Sequence, residues 1–269
     1  MCEQCGCAAT PEFIRASDHA GAIAAKPVKP RSVEILTGIL NDNDREAAHN
    51  REHLDGHRVL AVNLMSSPGS GKTSLLEATI DAIGDRFRIA VIEGDLETEN
   101  DAKRIRAKGA PAIQITTGHT CHLDAQMVHA ALHALDLDVT DIVFIENVGN
   151  LVCPASFDLG QHANVVLLAV TEGDDKPAKY PVIFRKADLV LLSKTDLLNV
   201  LDDFSPDQAE SHVRALANPA PVLRLSARRP DTLAPWIAWL EARLASCRGD
   251  AVRRPDNARH EHVPHRAVE

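Results

Sequence analysis

The chain has 269 residues, 45% of them hydrophobic, 25% charged and 3% aromatic, with a formal net charge of −9. That size and apolar share suit one large domain with tails, built on Val, Ile, Leu and Ala rather than rings. The acidic balance weighs against a nucleic-acid partner, and no stretch approaches the ~20 apolar residues a membrane span needs.

No basic segment followed by an apolar one opens the chain, so no signal peptide is expected. Three of the six cysteines fall in the first seven residues. That is a thiol or metal pattern rather than a disulfide scaffold, and it reads as cytoplasmic. Cys2-x-x-Cys5-Gly6-Cys7 gathers three thiols in a tight turn. Soft thiolates select Zn, Cu(I) or, with nitrogen in a square plane, Ni(II); a reactive tail or a single internal disulfide is the alternative. Residues 8–30 read as linker, Ala-rich and ending in Lys26-Pro27-Val28-Lys29-Pro30. Residues 1–30 are therefore expected to be a flexible metal-binding tail. Ser32 caps an expected helix to about Leu54, with Val33, Leu36, Ile39 and Leu40 on its inner stripe. His49, His53 and His57 lie at i, i+4 and i+8 on it and read as a solvated face.

The apolar run Val59–Met65 stops at Ser66-Ser67-Pro68-Gly69-Ser70-Gly71-Lys72-Thr73-Ser74, and a helical stripe of Leu75, Leu76, Ile80 and Ile83 follows. Strand, Gly-rich turn, Lys-Thr, helix is a phosphate-binding loop. Gly69, Ser70 and Gly71 turn backbone N–H groups inward, and the amides through Ser74 add the helix N-terminus. Lys72 reaches the β/γ-phosphates, and the Thr73 hydroxyl binds magnesium. Ser66 stands where the first glycine of the motif is usual.

Two further apolar runs end in acids. Arg88–Glu93 runs into Gly94-Asp95, and Asp95 is a candidate for magnesium or for the attacking water. Asp141–Glu146 is the strongest central-strand signal, and its terminal acid has the place of a magnesium-orienting carboxylate. Gly149 follows at the spacing of a γ-phosphate sensor. Between them, Ala112–Ile115 is a short strand. Cys121 and His122 then precede a helix with an expected stripe of Leu123, Met127, Ala130 and Ala134. Placed at a helix N-terminus, Cys121 is expected to have a lowered pKa. His129 and His133 read as a solvated face. Cys153 lies just beyond the Glu146–Gly149 segment, where a metal ligand would feel the γ-phosphate state.

Val165–Val170 and Leu189–Leu192 are further buried strands. The second ends in Ser193-Lys194-Thr195-Asp196, close to the guanine-reading N-K-x-D pattern. Asp196 accepts from guanine N1–H and N2, which adenine does not offer together, and the Lys194 stem covers the ring. Ser193 replaces the usual Asn, a change expected to weaken the loop's hydrogen bonds. Ser226 and Ala227, after Val222–Leu225, are placed to contact the guanine oxygen. A last helix is expected over 231–246, with Leu233, Trp236, Ile237 and Leu240 inward. Residues 248–269 read as disordered, with His260, His262 and His265 solvated and Cys247 structural.

Together, Cys2-x-x-Cys5-Gly-Cys7, Ser67–Thr73, Glu93-Gly-Asp95, Gly118-His-x-Cys-His-Leu-Asp-Ala125, Glu146–Ala155 and Thr171–Pro177 resemble the HypB family. These are the nickel-incorporation GTPases of nickel–iron hydrogenase maturation. The resemblance covers residues 1–7 and 32–246. It implies an α/β P-loop domain over 31–247, with a mostly parallel sheet and helices on both faces. It also implies slow GTP hydrolysis, a GTP-dependent homodimer, a hydrogenase maturation partner with a nickel chaperone, and the hydrogenase large subunit as client. Nickel or zinc is implied on Cys121, His122 and Cys153 at the dimer face, and nickel on Cys2, Cys5 and Cys7. Magnesium falls to Thr73, Asp95 and Glu146, with Lys72, Asp95 and Glu146 catalytic. The rivals are a urease-type nickel GTPase and a non-catalytic nickel carrier or storage protein.

Overall fold

The computed structural model describes residues 30–97, 99–118 and 120–249. Seven strands form one parallel sheet in the order β3-β2-β4-β1-β5-β6-β7. They are β1 (Leu60–Ser66), β2 (Ile89–Asp95), β3 (Ala112–Thr116), β4 (Ile142–Glu146), β5 (Ala163–Ala169), β6 (Leu189–Ser193) and β7 (Val222–Arg224). The runs that build β1, β4, β5 and β6 are almost wholly apolar because both faces are covered. Connections between parallel strands need crossovers, and helices supply most of them.

The helices are α1 (Pro30–His57), α2 (Lys72–Ile83), α3 (Asn100–Ala107), α4 (Ala125–Leu132), α5 (Lys176–Lys179), α6 (Pro181–Arg185), α7 (Pro206–Ala215) and α8 (Ala234–Cys247). One face of the sheet packs α2, α3 and α8 over Val62, Leu64, Val91, Phe144 and Leu167. There Trp236 of α8 is fully buried, and its Nε1 donates to Thr79 Oγ1 of α2 at 2.9 Å. The opposite face holds α1 and α4 over Ala61, Ile92, Val143 and Ile145. Farther along that face, α6 and α7 pack on Val166, Leu168, Val190 and Leu192. The expected α/β P-loop architecture is present.

Three local expectations are corrected. In α1 the side of Ile39 is exposed, and the inner face is Asn43, Ala47, Asn50 and Leu54. Asn43 Nδ2 donates to Asp158 O, and its Oδ1 accepts from Ala125 N, both at 2.9 Å. Asn50 Nδ2 donates to Ala125 O at 2.8 Å and to Leu159 O at 3.1 Å. Directed amide bonds thus replace the apolar stripe that periodicity sought. In α4 the buried residues are Ala125, Val128, Ala131 and Leu132, while Ala130 and Ala134 face solvent. The helix begins only after Asp124, whose carboxylate caps Met127 N at 2.8 Å, so the stripe is rotated. Arg248 caps α8 and its guanidinium pairs with Asp141, so order extends past the expected boundary of the tail. The tail residues from 250 on lie outside the described residues.

Gly160 pins the α1 contact. Its φ is +88°, and a Cβ there would stand 2.5 Å from Asn50 Cβ and 2.6 Å from Ala47 O. Gly160→Ala combines left-handed strain with overpacking, together about 2–4 kcal/mol. The expected fall in Tm is roughly 5–10 °C. Thermal unfolding followed by circular dichroism checks it.

Candidate nucleotide and metal site

The C-terminal ends of the strands open on a cleft of about 840 Å³, floored by the loop between β1 and α2. Gly69 and Gly71 both have positive φ, at 75° and 95°, and Gly71 is the N-cap of α2. Those conformations turn amides toward the cleft, and only glycine adopts them without strain. Ser66 is the last residue of β1, fully buried and without a positive φ, so its side chain costs no backbone strain. Its hydroxyl receives Lys72 Nζ at 3.0 Å and donates to Ser67 O at 2.6 Å. Ser70 Oγ donates to Glu172 Oε1 at 2.5 Å, which ties the loop to the segment after β5. Ser74, at the loop's far end, receives Arg104 Nη2 at 3.3 Å.

Two acids face this loop from adjacent strands. Glu93 of β2 and Glu146 of β4 are register partners and are 2% and 5% exposed. Thr73 Oγ1 donates to Glu146 Oε1 at 2.9 Å, and Lys72 Nζ lies 4.0 Å from the same oxygen. Burial, and then the neighbouring Glu146 charge, pushes the Glu93 carboxyl up to about 11. Burial also raises Glu146, with Lys72 opposing. Glu93 Oε1 and Glu146 Oε2 are buried and have no hydrogen-bond partner among the described residues. Hard oxygen donors left unmatched beside a hydroxyl and a phosphate loop fit a magnesium ion. Asp95, at the tip of β2, lines the same cleft, and its Oδ1 accepts from Leu96 N at 2.5 Å. Glu93 carried no separate role in the sequence reading. Its signal was present, as the acid inside an otherwise apolar strand.

Gly149 reaches the cleft from the loop after β4 and lies against the phosphate loop. A Cβ there would stand 2.8 Å from Pro68 Cα and 2.9 Å from Pro68 N. At the other end, Lys194 has φ 58°, and its Nζ donates to Gly69 O at 2.6 Å. Ser193 Oγ donates to Ser70 O at 2.7 Å, so this serine ties the base-reading loop to the phosphate loop instead of weakening it. Asp196 Oδ1 accepts from Ser226 Oγ at 2.5 Å. The Ser226 N–H is engaged by Thr232 Oγ1 at 2.9 Å, so Ser226 positions Asp196 rather than offering its amide. Ala227 lines the cleft beside it.

The second site lies in the loops flanking α4 and β4. Ligand atoms of Cys121, His122 and Cys153 all fall within 4.8 Å of one another, and the two sulfurs are 3.0 Å apart as thiols. His122 is buried, with its ring stacked on Phe157 at a centroid distance of 3.9 Å. Burial lowers its pKa, with Asp124 opposing. Its buried Nδ1 has no partner among the described residues. Two sulfurs and an unclaimed imidazole nitrogen suit a borderline metal, with room for one more ligand. Because Asp124 is the cap of α4, Cys121 lies three residues before it, outside the first turn where a helix N-terminus acts. The Cys2, Cys5 and Cys7 cluster lies outside the described residues. A further group, Asp55, His162 and Cys247, is a poorer donor set. His162 Nδ1 accepts from Ala61 N at 2.9 Å, which fixes the proton on the Nε2 that meets Asp55.

Hydrogen bonds join the two sites. Asn147, next after Glu146, accepts on Oδ1 from Leu123 N at 3.2 Å and donates to Asn63 Oδ1 at 3.3 Å. Asn150, next after Gly149, donates to Cys121 O at 3.3 Å and accepts from Val152 N at 2.9 Å. Leu123 also covers Gly94, where a Cβ would stand 2.8 Å from its Cγ.

A parallel sheet with a glycine-turned loop between β1 and α2 and a cleft at the strand ends define a P-loop GTPase. Residues 60–224 match the family model of the CobW/HypB/UreG nucleotide-binding domain. The chain is 51% identical over 226 residues to the hydrogenase maturation factor HypB of Azotobacter vinelandii, covering 83% of this chain and 74% of that protein. The Escherichia coli HypB is 48% identical over 223 residues, covering 83% and 77%. The crystal structure of HypB from Helicobacter pylori in complex with nickel superposes with a TM-score of 0.73 at 43% identity, covering 76% of this chain and 96% of that one. The HypB of Archaeoglobus fulgidus gives 0.71 at 38%, covering 76% and 100%. The chain belongs to the CobW/HypB/UreG family and, within it, to the HypB hydrogenase maturation factors.

The buried acids set the pH dependence of the nucleotide-free protein. An unfolded Glu93 ionises above about pH 4.5, whereas the folded one keeps its proton until about 11. The unfolded state therefore binds fewer protons through that window, and stability falls as pH rises. Glu93→Gln removes this proton uptake. It is expected to flatten the fall between pH 5 and 9 and to raise Tm at pH 8 by at least ~2 °C. Differential scanning calorimetry across that range, without nucleotide, reads it out.

Proposed function

We propose that the chain is a GTP-driven nickel metallochaperone that serves the hydrogenase large subunit. It would act in the cytoplasm as a GTP-dependent homodimer with a maturation partner and a nickel chaperone. The amides of Gly69–Ser74 hold the phosphates, and Lys72 leaves Ser66 for the β/γ-bridge. Asp196 reads guanine, with the Lys194 stem on the ring and the Ala227 amide toward the guanine oxygen. Thr73, Asp95 and Glu146 are the magnesium residues, and the ion would neutralise phosphate charge as hydrolysis proceeds. Nickel is cargo, held by Cys121, His122 and Cys153; zinc suits the same donors. The reading rests on one observation: the segment Glu146–Cys153 lines the GTP cleft at one end and supplies a metal donor at the other. Gly149, set against Pro68, cannot follow a γ-phosphate without moving Asn150 and thus Cys121. The half-exposed thiols and the 60%-exposed Val152 beside Cys153 offer the face for a second subunit.

A second client is favoured by the Helicobacter relatives, which are named hydrogenase/urease maturation factors and are 44% identical.

Two measurements test the reading. In a Cys2/Cys5/Cys7→Ser background, nickel affinity should differ at least ~5-fold between the forms bound to GDP and to a non-hydrolysable GTP analogue. Asn150→Ala should bring that ratio toward one; equal affinity in the parent refutes the coupling. Lys72→Ala should lower GTP turnover by about 100-fold or more. Unchanged turnover would make the chain a carrier whose nucleotide site is idle.

A further inference from the structure

Five histidines that occupy two separate helical runs in the sequence meet where α1 crosses α4. His49, His53 and His57 come from α1, His129 from α4, and His133 is the C-cap of α4. The rings of His49 and His129 lie 5.1 Å apart, His129 and His133 4.5 Å, His53 and His133 5.2 Å, and His53 and His57 5.1 Å. His49, His57 and His133 are exposed and His53 and His129 half-buried, so the two solvated faces expected are one shared face.

At the centre, His129 Nε2 and His133 Nε2 face each other at 3.1 Å. Two nitrogens bound to one zinc-sized ion at ~2.0–2.1 Å stand roughly 3.0–3.4 Å apart. Histidines at i and i+4 of a helix are a recurrent metal-binding pair for this reason. The protonation of His129 follows from its neighbour. Asn50 spends its amide nitrogen on two carbonyls, so its Oδ1 is the atom 3.0 Å from His129 Nδ1. His129 must therefore carry its proton on Nδ1, with Glu46 a further acceptor at 3.3 Å. That leaves the Nε2 lone pair directed at His133. An imidazole held by a second acceptor through its distal N–H is the usual support of a metal ligand. In the metal-free chain the His133 Nε2–H fills the gap; a cation takes its place as that proton moves to His133 Nδ1. Asp138, 2.9 Å from His57 Nδ1, places a second carboxylate at the edge of the cluster.

We propose that this face is a second metal site of the folded domain, taking one divalent ion of the nickel–zinc class on His129 and His133. His53 rotates in as third donor. His53 is half-buried, with the rings of His57 and His133 at 5.1 and 5.2 Å. Imidazole without thiolate selects zinc, nickel or copper over magnesium or calcium. The inference rests on imidazole geometry alone and stands whether or not Cys121, His122 and Cys153 carry nickel.

The full chain is dialysed against Zn²⁺ as wild type and as the double variant His129→Gln/His133→Gln. The wild type should hold one more zinc per chain; equal stoichiometry overturns the proposal. Both are also made in a background with Cys2, Cys5, Cys7, Cys121 and Cys153 changed to Ser, and Co²⁺ is used as the spectroscopic probe. Weak ligand-field bands without thiolate charge transfer, lost in the double variant, support the site. A cobalt spectrum indifferent to the two histidines overturns it. Single His53→Gln should weaken zinc at least ~10-fold. No change there removes His53 from the site and overturns the three-donor form.

Discussion

Two carboxyl groups buried at matching positions of neighbouring parallel strands cannot both ionise without a cation beside them. Glu93 and Glu146 are in that position because β2 and β4 pair in the register that sets them opposite each other. The rest of the nucleotide cleft is arranged around this constraint. Lys72 supplies one cation, Thr73 supplies a hydroxyl, and the glycine-turned amides supply positive potential without a titratable group. The empty-handed state is the strained one, since carboxyl groups raised by burial oppose folding above their ordinary pKa. Charge neutralisation by a bound cation and charge balance by phosphate thus come with a conformational consequence, which a cleft of solvated acids would lack.

That consequence has a short path outward. Glu146, Asn147, Gly149, Asn150 and Cys153 fall within eight successive positions of the chain. The carboxylate touches Thr73, the first amide bridge Leu123 and the close-packed glycine Pro68, while the second amide bridge and the thiol both meet Cys121. The bridges are hydrogen bonds from Asn side chains to backbone atoms, which are directional and fail over a few tenths of an ångström. An apolar contact of similar size would slide. A lever made of such bonds transmits displacement as making and breaking, the discrete behaviour a release step requires.

The nucleotide half of the molecule was legible in the sequence because its chemistry is local. Ser67–Thr73, Asp95, Glu146 and Ser193–Asp196 each sit at the end of an apolar strand, and strand ends of a parallel sheet converge in space. What escaped is what depends on neighbours in three dimensions. Glu93 gains its role only from the register with Glu146. Ser193 looked like a weakened Asn, yet its hydroxyl reaches Ser70 O, a contact invisible without the fold. The inner face of α1 was sought among Ile39 and Leu40, but Asn43 and Asn50 carry it, because the carbonyls of Ala125, Asp158 and Leu159 had to be satisfied. Periodicity also misplaced the stripe of α4, since it could not see that Asp124 delays the helix start.

Donor number separates holding a metal from passing it on. A site closed by four protein ligands holds its ion structurally, and release must break the fold. Cys121, His122 and Cys153 provide three donors from loops rather than strands, with the imidazole clamped on Phe157 and the sulfurs half-exposed. In the proposed role, one open position would let an incoming ligand bind before an old one leaves, so that transfer would proceed by exchange instead of through a bare ion. With His122 clamped and the sulfurs on segments hydrogen-bonded to the loop after β4, the sulfurs would be the adjustable members of the set. On the proposed coupling, a change of the Asn150–Cys121 bond would alter metal affinity without disturbing the sheet, and the GTPase core could stay rigid while its cargo is released.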